Sequence, residues 1–355
     1  MTMVGILSAF SILAAQPAAD TSGLGLFWNM ADRIQAGFVP ASTDWDVMFA
    51  HPGYAQIERS GQRRGVVQRC MRIVFQPDAE ARMRELAEVT NPRTRRTCSH
   101  LDRVRERRRE LSIMASDPRL QTAVQRGLDY ARDYLPSAAT GCAAPPVYII
   151  LFEDNGFGGE SVATDLLSFM ERSDEASERL LGHELHHSYL MRTTPPSTAP
   201  EADDVVETLR KMTWEGIASR IDKQQFFEPG FDVREPAMSE TARQFRDLQT
   251  STPARLAVID GALAALDVSS PDYAAAAQVI GEQMPLGGHE NGYYLAAVIE
   301  EEFGRPALAA VANRPIDFFR LYNRAASRRP TRFRFSPAAV NALARMESLS
   351  PEDPN

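Results

Sequence analysis

The chain has 355 residues, 44% of them hydrophobic and 24% charged, which is enough apolar material for a sizeable core. Its 39 Lys and Arg stand against 47 Asp and Glu, a formal net charge of -8. That balance excludes a globally basic chain built to cover phosphates, so no nucleic-acid partner is expected; the composition also excludes long disorder and a disulfide-dense mini-scaffold.

Val4 to Ala15 reads VGILSAFSILAA, an apolar run too short to span a bilayer. With the small residues Ala14, Ala15, Ala18 and Ala19 it has the form of a secretory h-region with a cleavage zone near Asp20, so residues 1–19 are expected to be a signal peptide. The n-region, Met1-Thr2-Met3, carries only the α-amino charge. Export, to the periplasm or the exterior, is the expectation. No other run is long enough for a transmembrane helix, so no integral membrane span is expected. Cys70, Cys98 and Cys142 are not spaced as CxxC, which argues against a cysteine zinc knuckle. They read as buried small hydrophobes or as one disulfide with one cysteine left over.

Residues 20–140 read as a helical N-terminal region. Pro77–Thr90 begins with Pro and acids, and Asp117–Pro136 has an Asp-Pro start and a Pro stop. The Arg-rich stretch Arg103–Glu110 alternates with acids and reads as a solvated helix face. Ala138–Pro146 is small and turn-prone, a boundary before a second unit, 141–345. Val147–Phe152 is β-branched and aromatic and reads as a buried strand. Asn155–Gly159 reads as a turn at a cleft rim; it lacks the Lys-Ser/Thr ending of a phosphate loop. Ser161–Phe169 fits either a strand or a helix start. Helical texture resumes at Ser173, and residues 346–355 read as a tail. The fold class is mainly α with a small β-sheet.

The chemistry lies in Leu180–Leu190, which contains His183-Glu184-Leu185-His186-His187, an HExxH motif. On a helix, residues four apart share a face about 6 Å apart. His183 and His187 can therefore offer two imidazoles to one ion, and Glu184 can reach a water on it. Zinc suits imidazole ligands and keeps an open position in catalytic sites. A neighbouring carboxylate that takes and returns a proton completes the requirements of peptide hydrolysis. Ser173 is a good N-cap before this run, and Leu180, Leu181, Leu185 and Leu190 supply an apolar stripe. His186 lies off the His183–His187 line and reads as a supporting or surface histidine. A third metal ligand is required. No glycine and third histidine follow at the short metzincin interval; the next histidine is His289.

Downstream, Trp214-Glu215-Gly216-Ile217-Ala218 resembles the segment that carries the third ligand, a Glu on a second helix, in the gluzincin metallopeptidases. The resemblance implies Glu215 as that ligand, with Asp204 and Glu207 as alternatives and Ser219 and Asp222 as partners that orient a histidine. Gly216 would allow close approach of a neighbouring helix. Gly292-Tyr293-Tyr294, Gly304–Leu308 and Pro315–Phe319 extend the resemblance, over roughly residues 145–325, to the uncharacterised bacterial zinc-dependent peptidases of the DUF5700/DUF2268 kind. It implies a gluzincin-like zincin domain with bound Zn2+ and an edge strand that pairs with extended substrate. It further implies an oxyanion donor from a later helix, for which His289, Tyr293 and Tyr294 are candidates.

The first expectation is therefore an exported zinc metallopeptidase acting on a peptide or protein. A second is a non-catalytic peptide- or partner-binding protein that keeps the zincin fold. A third is hydrolysis of a non-peptide amide or ester. Oligomeric state is not legible.

Overall fold

The structure, a computed structural model, describes residues 17–59, 63–194 and 200–348. The apolar run Val4–Ala15 lies outside the described residues, as does the tail beyond Ser348. The protein is mostly helical with one small sheet, in agreement with the composition of its sequence segments.

Local signals set the N-terminal helices. Ala79–Glu88 starts where the Asp78 carboxylate accepts the amides of Glu80 and Ala81. Arg119–Arg132 ends just before Pro136. The basic stretch is broken at Arg107, between the helices Pro92–Glu106 and Arg108–Met114. Its face is partly solvated, with Arg103, Glu106, Arg109 and Glu110 exposed. Arg103 and Arg107 both pair with Glu171, and Arg108 pairs with Asp32, so its guanidinium groups dock onto acids of the surrounding fold. Cys70 and Cys98 form a disulfide between Arg63–Phe75 and Pro92–Glu106, and Cys142 is free.

The sheet holds four strands, β1 (Ala19–Asp20), β2 (Val147–Ile150), β3 (Gly156–Gly158) and β4 (Val162–Asp165), in the order β1-β2-β4-β3. β2 is parallel to β1 and β4, while β3 runs antiparallel on β4 as an edge. The glycine run expected to be a turn is thus a short strand. The ambiguous Ser161–Phe169 segment is both things in succession: β4, then a helix, Leu166–Glu171, capped by the Asp165 carboxylate on the Ser168 amide.

One apolar core runs from Leu24 to Met346 and draws residues from both sides of position 140. A small second cluster gathers Phe226, Phe231, Ala242, Phe245 and Tyr293. No helix among the described residues is long and apolar enough to cross a membrane.

Candidate metal centre

The HExxH segment lies in a motif helix, Asp174–Thr193. The Ser173 hydroxyl accepts the Ala176 amide at 3.2 Å, and Asp174 and Glu175 complement the positive end of the helix dipole. A second helix, Asp203–Asp222, packs along it and carries Glu215. A third, His289–Phe303, crosses the second. The crossing is close because glycine meets glycine: a Cβ on Gly216 would lie 2.2 Å from the carbonyl carbon of Gly292. No other residue fits there without moving a backbone. This is the close approach that Gly216 suggested in the sequence, and it sets Glu215 beside His289.

His183 Nε2 and His187 Nε2 stand 3.0 Å apart, and Glu215 Oε2 stands 3.1 Å from His187 Nε2 and 3.5 Å from His183 Nε2. Ligands held about 2.0–2.1 Å from a tetrahedral zinc are about 3.3 Å from one another. The three donor atoms therefore already have the spacing of three corners of such a tetrahedron. Two imidazoles and a carboxylate are also the chemistry that zinc takes. His183 Nδ1 faces Asp222 Oδ1 at 3.0 Å, which assigns the proton to Nδ1 and leaves the Nε2 lone pair for the cluster. The second oxygen of Asp222 pairs with Lys223.

His289 completes the group. Its Nδ1 is 3.1 Å from Glu215 Oε2 and 3.0 Å from Ser219 Oγ. His183, Glu215 and His289 present ligand atoms all within 4.8 Å of one another.

Electrostatics follow this geometry. Burial works against a charged His183, but the adjacent Asp222 carboxylate outweighs it and pushes the imidazole up to about 10. Burial also opposes ionisation of Asp222 and Glu215, yet Lys223 and His183 hold the first carboxyl low, and His289 and His187 hold the second low. Burial brings His289 down to about 3, against the pull of the Glu215 carboxylate. His186 is wholly buried and its ring lies 6.1 Å from that of His187; burial keeps it neutral. It is a core residue, not a surface one.

Glu184 is buried next to β3, and its Oε2 accepts the Gly158 amide at 2.5 Å. The next amide, Gly159, donates to Ser188 Oγ at 3.0 Å. Gly158, Ser188 and Lys223 join the candidates here; the glycine run, expected to be a turn, carried no signal for their roles. The remaining candidates lie elsewhere. Asp204 is in the first turn of its helix, 11 residues or about 16 Å of rise before Glu215. Glu207 pairs with Arg210. Tyr293 stacks on Phe227 at 5.3 Å beneath the Arg220 guanidinium, inside the small aromatic cluster. Tyr294 packs beside Tyr322, with Arg332 over its ring.

No curated protein and no solved structure matches the chain. A family model does match, over residues 45–331, and its description is "Putative zinc dependent peptidase (DUF5700)". That span includes the strands β2 to β4, the motif helix, Glu215 and His289. The chain belongs to the DUF5700 family.

Proposed function

We propose that this protein hydrolyses peptide bonds, with zinc held by His183, His187 and Glu215. The observation that carries the reading is the convergence of the two Nε2 atoms and Glu215 Oε2 at 3.0–3.5 Å. Zinc at such a site supplies Lewis acidity, which acidifies a water and polarises a carbonyl. Glu184, one residue from His183, takes the proton of the attacking water and returns it to the departing amine. Asp222 fixes the tautomer of His183. His289, beside Glu215, is better placed than Tyr293 to steady the negative charge on the carbonyl oxygen. The β3 edge, lying against Glu184, receives the peptide in extended form. Export belongs to the same reading and is supported by the Cys70–Cys98 disulfide, a bond that persists in oxidising compartments.

The test begins with metal content per chain for wild type and His187→Ala in parallel. About one zinc in the first and none in the second is expected from a site built on two imidazoles and one carboxylate. A peptide-library assay follows, with Glu184→Gln as the blank. That variant should keep zinc and lose nearly all turnover. Absence of zinc from wild type after zinc is supplied would overturn the reading and leave a helical peptide- or partner-binding protein.

A further inference from the structure

The edge strand and the base share one hydrogen bond, and the register of the sheet shows what that means for a substrate. In an antiparallel pair, residues alternate between positions that bond to the neighbouring strand and positions whose amide and carbonyl point away. The Asp165 amide donates to the Asn155 carbonyl, so the 155–165 pair is a bonded one. The register then makes 157–163 the next bonded pair and leaves Gly156 and Gly158 pointing outward from the sheet. Gly156 is buried and Gly158 partly exposed, so Gly158 is the outward position that an extended peptide would meet. Both amides are already engaged: Gly156 on the Asn155 side chain at 2.9 Å, and Gly158 on Glu184 Oε2 at 2.5 Å.

Side chains are excluded from this edge. A Cβ on Gly158 would lie 2.2 Å from the Glu184 carbonyl oxygen, and one on Gly156 would lie 2.9 Å from Glu184 Cγ. The strand therefore lies directly on the motif helix, and the outward amide of Gly158 is within reach of Glu184.

We propose that the Gly158 amide is a shared donor: it holds the Glu184 carboxylate until the carbonyl of an extended peptide takes it over, so that docking of the peptide releases the base. The inference rests on the peptidase reading above and adds its regulation. A carboxylate that accepts a backbone N–H has part of its proton-accepting capacity already occupied. A peptide that pairs with the edge needs the same N–H. The two acceptors compete for one hydrogen, and sharing it weakens each bond, so docking and release of the base are coupled. Gly158 is on this account a positioning residue that acts through Glu184.

Two measurements test it. The first needs no peptide. Amide hydrogen exchange across residues 156–159 is compared in wild type, Glu184→Gln and Glu184→Ala. Gln retains an oxygen acceptor and should keep the protection. Ala should let one amide exchange about tenfold faster, the factor that loss of one hydrogen bond brings. Equal protection in Gln and Ala would overturn the proposal. The second uses the peptide that wild type cleaves in the library assay, bound to the two inactive variants at equal zinc content. Glu184→Ala leaves the Gly158 amide free and should bind the peptide about tenfold more tightly than Glu184→Gln, in which the amide is still occupied. Equal affinity, or tighter binding by Gln, would refute the hand-over. Failure of the peptidase reading is seen separately, as loss of zinc from wild type or absence of any cleaved peptide.

Discussion

Asp222→Asn isolates what a carboxylate behind the proposed zinc ligand His183 contributes. Asp222 is buried, with one oxygen 3.0 Å from His183 Nδ1 and the other on Lys223. Asn has nearly the same shape and keeps an acceptor for Nδ1, so the ring should stay in place. What is lost is the negative charge, and two effects follow. The imidazole becomes a weaker donor to the ion, and the Lys223 ammonium is left without its counter-charge beside a site meant for a dication. Losing such a supporting partner lowers metal affinity roughly 10- to 100-fold, which is about 1.4–2.7 kcal/mol. The unneutralised lysine places the expectation at the upper end of that range. Asp222→Ala should exceed it, since His183 Nδ1 then has no acceptor at all. The assay is competition for zinc against a chromophoric chelator at fixed pH and salt, with Tyr294→Phe as a remote control. A zinc affinity for Asp222→Asn within twofold of wild type would refute the electrostatic argument. An Asn effect equal to the Ala effect would show that the charge alone matters and that the hydrogen bond to Nδ1 adds nothing.

Gly216→Ala should destabilise the protein by at least about 1–3 kcal/mol through overpacking, although Ala is the better helix former by about 1 kcal/mol. The Gly292 backbone 2.2 Å from the new Cβ decides the sign, and a thermal melt that rises would refute it. Removing the disulfide with Cys70→Ser and Cys98→Ser opens a loop of sequence separation 28 and should lower stability by roughly 3–4 kcal/mol in the chain-entropy account. Denaturant midpoints unchanged by the double substitution would count against it. Burial opposes a charge on His100, but the Asp165 carboxylate at 3.0 Å more than offsets this and raises the imidazole above its ordinary value. A raised folded pKa stabilises fully below the unfolded value of about 6.5 and is lost as pH rises through the folded one. Stability measured upward from pH 6.5 should therefore decline, and His100→Gln should flatten that decline; a slope that stays in the Gln variant would assign it to another group.

The parts of the site legible in the sequence are those set by short-range periodicity. His183 and His187 are one helical turn apart, and Ser173 and the acids after it announce the start of their helix. Glu215 was reached through the resemblance of Trp214–Ala218 to a known third-ligand segment, and Gly216 added that a neighbouring helix could come close. That the partner is Gly292 was not legible, since it lies 76 residues away and nothing local encodes which backbone fills the space. His289 was named for a role on the reacting carbonyl, while its contacts with Glu215 and Ser219 depend on that same crossing. β3 was read as a turn because glycines carry no strand preference. Its three residues are a strand only because β4 offers a ladder on one side and Glu184 an acceptor on the other. The two-residue strand β1 gives no periodic signal at all, yet it brings the first described residues into the sheet that borders the site.

The contact of Gly216 with Gly292 also limits how the protein can breathe. With main chain against main chain, the second and third helices have no layer of side chains through which to slide. The neighbours of the crossing point, Glu215 on one helix and Asn291 on the other, are both anchored: Glu215 to three histidines, Asn291 to Arg255 and the Gln283 carbonyl. Those two helices therefore form the fixed side of the site. Any movement around Glu184 has to come from the opposite side, where the Gly158 and Gly159 amides hold the edge strand to the motif helix through bonds that can be exchanged one at a time.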